Sequence, residues 1–324
     1  MLFKNVVLFQ LPKSYKLNKN LEEAFAQYPL RPCGALEKRT EGFVSPFGET
    51  GPILDEQGNV LSQASLALTH ELDGRSLFTI GFEEKVLPAG VINKALKEEI
   101  ARIEIREERK VKGKEKKKLK EEIIDRLLPK AFVRPGQLQG YIDIKEGWVV
   151  FNTSGVKGAE NGLSLIRKAL GTCPAIPVPS ENGRLFLTQW LSSKSLPEGL
   201  VLGEECELKD PGEGGGTIKC TKQDLTVDEV QDHIKAGKQV TKLALSFDEK
   251  IHFMLNETLS ISKIKLEGVK EEGEGEDLVV GASVADKIDA EFALMVLELS
   301  QLFTHIRDWF EFERPEKEDS KDEN

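Results

Sequence analysis

The 324-residue chain carries 45 Lys and Arg against 55 Asp and Glu, a formal net charge of −10, with 39% hydrophobic and 31% charged residues. That is enough apolar material for two or three domain-sized cores, and no stretch approaches the roughly 20 apolar residues of a membrane span. Cys33, Cys173, Cys206 and Cys220 are widely spread and never form C-x-x-C, so neither a disulfide framework nor a zinc knuckle is indicated and the four read as reduced, mostly buried thiols.

The acidic balance argues at first sight against a nucleic-acid partner, because sequence-independent binding comes from Lys and Arg neutralising phosphates. The distribution reverses that argument locally. Residues Val91 to Arg134 hold 15 Lys and Arg and nine Asp and Glu, a local charge of +6 that leaves −16 for the rest. Much of the acid lies in Glu267 to Asp277 and in the tail Glu311 to Asn324, both poor in apolar residues and expected to be mobile. Met1 to Pro12 alternates apolar and polar residues and lacks the apolar core and cleavage site of a signal peptide, so the expected location is the cytoplasm.

Along the chain, Leu2 to Leu11 predicts a strand and Asn20, with Glu23 three residues on, opens a helix closed by Pro29 and Pro32. Phe43 to Leu54 reads as a loop and Arg75 to Phe82 as a strand. Ile92, Ala95, Leu96, Ile100 and Ile103 form the stripe of an amphipathic helix. Periodicity then fails from Lys110 to Lys118 and returns in Leu119, Ile123, Ile124, Leu127 and Leu128, up to Pro129. Two helices flanking a lysine-rich turn are expected, projecting some 20–30 Å at about 1.5 Å per residue. Tyr141 to Phe151 reads as a hairpin turning near Glu146-Gly147, and Gly158 to Leu170 as a helix stopped by Gly171. In the second half, Thr226 and Glu229 have capping-box spacing, Leu225 and Val230 staple spacing, and Gly237 ends the helix. Two strands joined at Asp248-Glu249, a third over Leu259 to Leu266, and a long helix from Ile288 to Phe310 complete the chain.

Lys110, Lys112, Lys114, Lys116, Lys117, Lys118 and Lys120 are candidate phosphate contacts, with a solvated helix tip as the alternative, strengthened by Glu107, Glu108 and Glu115. No aromatic residue interleaves the lysines, so duplex backbone binding suits them better than single-strand stacking. Lys222 and Gln223 precede a helix start and are candidates for phosphate or interface contact. The glycine-rich run Pro211 to Lys219 lacks phosphate-loop spacing, the four histidines are isolated, and no G-x-S-x-G element occurs. No catalytic residue, metal site or cofactor is assigned.

Several stretches, in order along the chain, resemble the RdgC family of recombination-associated proteins. They are Pro32-Cys-Gly34, Glu83-Glu-Lys-Val-Leu-Pro88, Leu127-Leu-Pro-Lys-Ala-Phe132, Leu165-Ile-Arg-Lys-Ala-Leu-Gly171, Leu187-Thr-Gln-Trp190, Lys222-Gln-Asp-Leu-Thr226, Gly237-Lys-Gln-Val-Thr-Lys-Leu-Ala-Leu245 and Asp289-Ala-Glu-Phe292. The resemblance implies a non-enzymatic homodimer that closes a ring around duplex DNA with little sequence preference, restrains the RecA recombinase and associates with the nucleoid. By motif it makes Phe132 a candidate subunit contact, with core packing as the alternative, and Lys222 and Gln223 candidates for contact with DNA or the second subunit. A different class of function, an adaptor acting on the recombinase by direct protein contact, stays open. The expected architecture is α/β (α+β): a central mixed domain in two parts (1–75 and 140–178), a helical, basic tip region (76–139), a C-terminal α/β dimerisation domain (179–312) and a disordered acidic tail (313–324).

Overall fold

The computed structural model describes residues 3–48, 53–54, 60–62, 67–212, 214–268 and 284–316. The chain begins with β1 (Val7–Gln10), α1 (Leu21–Phe25), β2 (Arg39–Val44), β3 (Ile53–Leu54), β4 (Val60–Ser62), β5 (Thr69–Leu72) and β6 (Arg75–Val86). A helical hairpin follows, α2 (Ala89–Glu107) and α3 (Gly113–Leu127), before β7 (Phe132–Asp143), β8 (Trp148–Phe151), α4 (Val156–Leu170) and β9 (Ile176–Pro177). The second half comprises α5 (Gly183–Ser193), β10 (Leu200–Lys209), β11 (Thr217–Thr221), α6 (Asp228–Lys235), β12 (Gln239–Phe247), β13 (Ile251–Asn256), β14 (Ile261–Leu266) and α7 (Val284–Trp309). The mixed α+β class expected from the sequence is the class the chain adopts.

Seven strands form the first sheet in the order β2-β6-β7-β8-β1-β9, with β5 also pairing to β6. Strands β1 and β8 are buried at every position, which requires cover on both faces. On one face α1 and α4 close over Phe9, Phe78 and Phe151. Phe25 stacks on Phe43 at 3.8 Å, and a Cβ on Gly162 of α4 would lie 2.7 Å from the Phe151 ring. The opposite face presents Leu77, Tyr141 and Trp148 to α7.

The second sheet has the order β11-β10-β12-β13-β14, all antiparallel. Its alternating apolar residues face α5, α6 and α7, as period-2 patterning demands. The long helix α7 serves both sheets: Phe292 lies 5.8 Å from Tyr141, Phe303 5.7 Å from Trp148 and Trp309 5.5 Å from Phe247, between ring centroids. Val6 and Ile261 exchange backbone hydrogen bonds of 2.7 and 2.8 Å, joining the lead into β1 to β14.

Several expectations are corrected. Phe43 and Val44, read as loop, end β2. Strands β6 and β7 reach Val86 and Phe132, so the central sheet continues through much of the region read as a helical tip. Two helices do flank a turn that holds Lys110 and Lys112, but the rest of the lysine run is helical, because α3 starts at Gly113 and carries Lys114 to Lys120. The capping box at Thr226 does not form: its amide and hydroxyl both donate to Asp224 Oδ1, at 2.8 and 2.7 Å, and α6 begins at Asp228 without a side-chain cap. Arg314, read as tail, donates to the carbonyls of Leu11, Pro12, Ile144 and Lys145. Most of the acidic segment from Glu267 to Asp277 and the tail after Glu316 lie outside the described residues.

Candidate nucleic-acid interface

The hairpin α2–α3 is thin. Leu96, Ile103, Ile123 and Leu128 are its only buried apolar side chains among the described residues, enough to zip two antiparallel helices but not to build a separate core. Helix α2, with 19 residues, extends about 28 Å at 1.5 Å per residue. It ends at Glu108, which takes a left-handed φ of 50° and reverses the chain.

The turn is braced by its own charges. Arg109 forks onto both oxygens of Glu115 at 2.7 Å and also reaches Glu107. Glu104 accepts from the Val111 amide at 3.1 Å and from Lys110 at 3.2 Å. These contacts hold the Glu104, Glu107 and Glu115 carboxyls below the usual range: the Val111 amide foremost for Glu104, Arg106 and then Arg109 for Glu107, and Arg109 for Glu115. Of the acids that favoured a merely solvated tip, Glu107 and Glu115 are therefore engaged in holding its shape. Lys110 is engaged as well, and Lys118 lies 3.9 Å from Glu122.

Lys112, Lys114, Lys116, Lys117 and Lys120 are exposed and make no ion pair with the described residues. At about 100° per residue, Lys114, Lys117 and Lys118 point away from the buried Ile123 side. Lys112, Lys114 and Lys116 sit at the N-cap and in the first turn of α3, with Lys117 and Lys120 following along the helix, and the N-cap, Lys112, supplies no side-chain acceptor. That end of a helix carries partial positive charge and unpaired N–H groups, so lysines are locally unfavourable there. An anion at the tip relieves both costs.

Phe132 opens β7 and is 88% exposed, which rules out the core alternative. Its register partner Val86 and neighbour Val133 are also exposed, making an apolar end to the sheet. Lys222 follows β11 in a left-handed conformation, φ 54°, and projects into solvent. Gln223 is tied back, its amide to the Glu204 carbonyl at 3.2 Å and its Nε2 to Glu229 at 3.3 Å. The start of α6 already holds Asp228 and Glu229, so it is not the anion site considered from the sequence. No hydrogen bond or ion pair joins Lys222 or Gln223 to the hairpin lysines.

All four cysteines are free thiols, three of them buried. Burial pushes Cys173 up to about 11 and, with Cys220 directly opposite, Cys206 up to about 12. Among the described residues no three His, Cys, Asp or Glu side chains converge to hold a metal ion, and no helix is long and apolar enough to cross a membrane.

Comparison with known proteins decides the relationship. A family model described as "Putative exonuclease, RdgC" matches residues 1–313. The chain belongs to the RdgC family. The Recombination-associated protein RdgC of Xanthomonas campestris pv. campestris (strain B100) is 41% identical over 318 residues, covering 98% of this chain and 100% of that protein. The protein of the same name from Xanthomonas oryzae pv. oryzae (strain PXO99A) is 40% identical over 305 residues, 94% of this chain and 96% of the other. That from Stenotrophomonas maltophilia (strain R551-3) is 37% identical over 316 residues, 97% and 99% of the two chains. These names place this RdgC-family chain with proteins of recombination.

Proposed function

We propose that this protein is a non-enzymatic, sequence-independent binder of duplex DNA, acting as a homodimeric ring that restrains a RecA-type recombinase during recombination and replication-fork processing at the nucleoid. The observation that carries the reading is the hairpin tip, where exposed lysines that make no ion pair with the described residues gather from the positive end of α3 along its first half. Ammonium groups so placed gain counterion release from any phosphate backbone and read no base. Exposed Phe132, at the end of the sheet beside the hairpin root, suits a subunit contact, since a desolvated aromatic anchor is a common hot spot. Lys222 and Gln223 supply a second contact, to DNA or to the partner subunit.

Salt-dependent binding to linear and to closed circular duplex tests attraction and topology together. A ring remains on circles after a salt challenge and slides from free ends, whereas equal release from both forms removes the ring. Absence of duplex binding at moderate salt, with recombinase captured from nuclease-treated samples, establishes the adaptor instead. The family description names an exonuclease, and metal-dependent release of nucleotides from duplex ends is the outcome that makes the protein an enzyme.

A further inference from the structure

The second sheet has one face without a helix. Its core side is set by rows in register such as Cys206, Leu243, Leu255 and Ile261. Successive side chains alternate between faces, so Val201, Ser246, His252 and Lys265 form one outward row, and Glu207 lies between Lys219 and Lys242 in another. Lys209, paired to Thr217 and Gln239, extends the outward face, and Lys263 crosses it to Glu205. Five lysines thus share a surface with Glu205, Glu207 and, at the β10 bulge, Glu204. Glu267, just after β14, reaches the outward His252 at 3.6 Å, whereas other carboxylates such as Asp228, Asp232, Asp248 and Glu249 sit in turns or on α6.

The charges are arranged to be freed. Glu207 holds two cations, Lys219 at 3.4 Å and Lys242 at 3.2 Å, the first well exposed and the second half-buried. Exposed Lys209 makes no ion pair with the described residues. Between the lysines the surface is mostly small or hydroxylated, with Gly203, Ala244, Ser262, Thr217 and Thr221, apart from Met254 in the row between Ala244 and Ser262 and the exposed Val201. The buried Ser246 hydroxyl has no hydrogen-bond partner among the described residues. Neither phenylalanine of these strands points outward for base stacking, since Phe247 and Phe253 lie in the core, and the ring on the outward row is the His252 imidazole. Five strands at about 4.8 Å span roughly 19 Å, comparable to a nucleic-acid duplex.

We infer that this outward face of the second sheet is a further contact surface for the phosphate backbone of duplex DNA, distinct from the hairpin. The inference rests on the duplex-binding reading, and it assigns to Glu207 the role of holding Lys219 and Lys242 in place until phosphate competes for them.

The test compares three variants of the full chain with the wild type, each checked for unchanged thermal melting, by the salt slope of duplex binding. Combined Lys209→Gln, Lys219→Gln and Lys242→Gln is expected to lower the slope by roughly 2–3 units, at about 0.9 per lost phosphate contact. Glu207→Gln is expected to tighten binding several-fold, a gain that damage to the fold cannot produce and that decides the matter if the triple variant melts early. Combined Lys116→Gln, Lys117→Gln and Lys118→Gln reports the hairpin separately. Wild-type binding that is lost in the hairpin variant but unchanged by both sheet variants overturns the inference and leaves the duplex-binding reading standing. A wild type that binds no duplex overturns both.

Discussion

Arg109 shows how one side chain can decide whether the hairpin tip attracts or repels a polyanion. It satisfies Glu107 and Glu115 while lying outside the row of free lysines, so its effect on binding is indirect. Arg109→Gln leaves Glu115 without its guanidinium partner and Glu107 with Arg106 alone, removes one positive charge and loosens the turn that aims α3. Duplex affinity is expected to fall several-fold at low salt, with the slope changed by less than a full contact. The Val111 amide, held by Glu104 across the same turn, should exchange with solvent faster. A slope change as large as that of a phosphate-contacting lysine would instead make Arg109 a direct ligand.

At the scale of elements, period and punctuation were readable wherever the fold obeys local rules. Asn20 caps α1 through Glu23, Gly171 ends α4 with φ 81°, and Asp248 and Glu249 take the left-handed conformations of a two-residue hairpin turn. The failures are tertiary. Pro135 and Gly136 disguise β7, yet Pro135 pairs with Glu83 beyond the reach of β8, which covers only Gly140 to Asp143. There β7 is an edge, and a missing N–H facing outward costs nothing. The lysines of the second sheet escaped notice because residues on one face come from strands far apart in sequence, whereas those of α3 are contiguous. Chain approach also explains Gly42, where a Cβ would stand 2.3 Å from the backbone of Pro29 and Leu30. Those atoms cannot rotate aside, so Gly42→Ala should cost about 2–3 kcal/mol, the upper end of the overpacking range. Chemical denaturation checks this; a loss below measurement error would mean that the Pro29 segment moves freely.

Over the whole molecule, the two sheets are bound less by their connecting loop than by α7 and the residues after it. Arg307 lies over the Trp148 ring at 4.0 Å and donates to the Glu146 carbonyl. Seven residues on, Arg314 donates to four carbonyls, two after β1 and two in the β7–β8 turn. The Lys13 amide answers with a bond to the Pro315 carbonyl, and its ammonium pairs with Glu316 at 2.7 Å. The residues just after α7 are thereby fastened to those just after β1 and to the β7–β8 turn, which keeps the second sheet and the hairpin in one frame, the arrangement that the proposed clamp calls for. Hydrogen bonds from a charged donor contribute about 1.5–3 kcal/mol each in isolation, but these share one guanidinium and are partly open to water. Arg314→Ala is therefore expected to cost about 2–4 kcal/mol, and Arg314→Lys to recover only a minor part, because a single ammonium cannot span carbonyls that a planar fork bridges. Urea titration followed by tryptophan fluorescence measures the loss, since Trp148 lies beneath this latch. Full recovery by lysine would show that charge alone, and not the fork, holds the ends together.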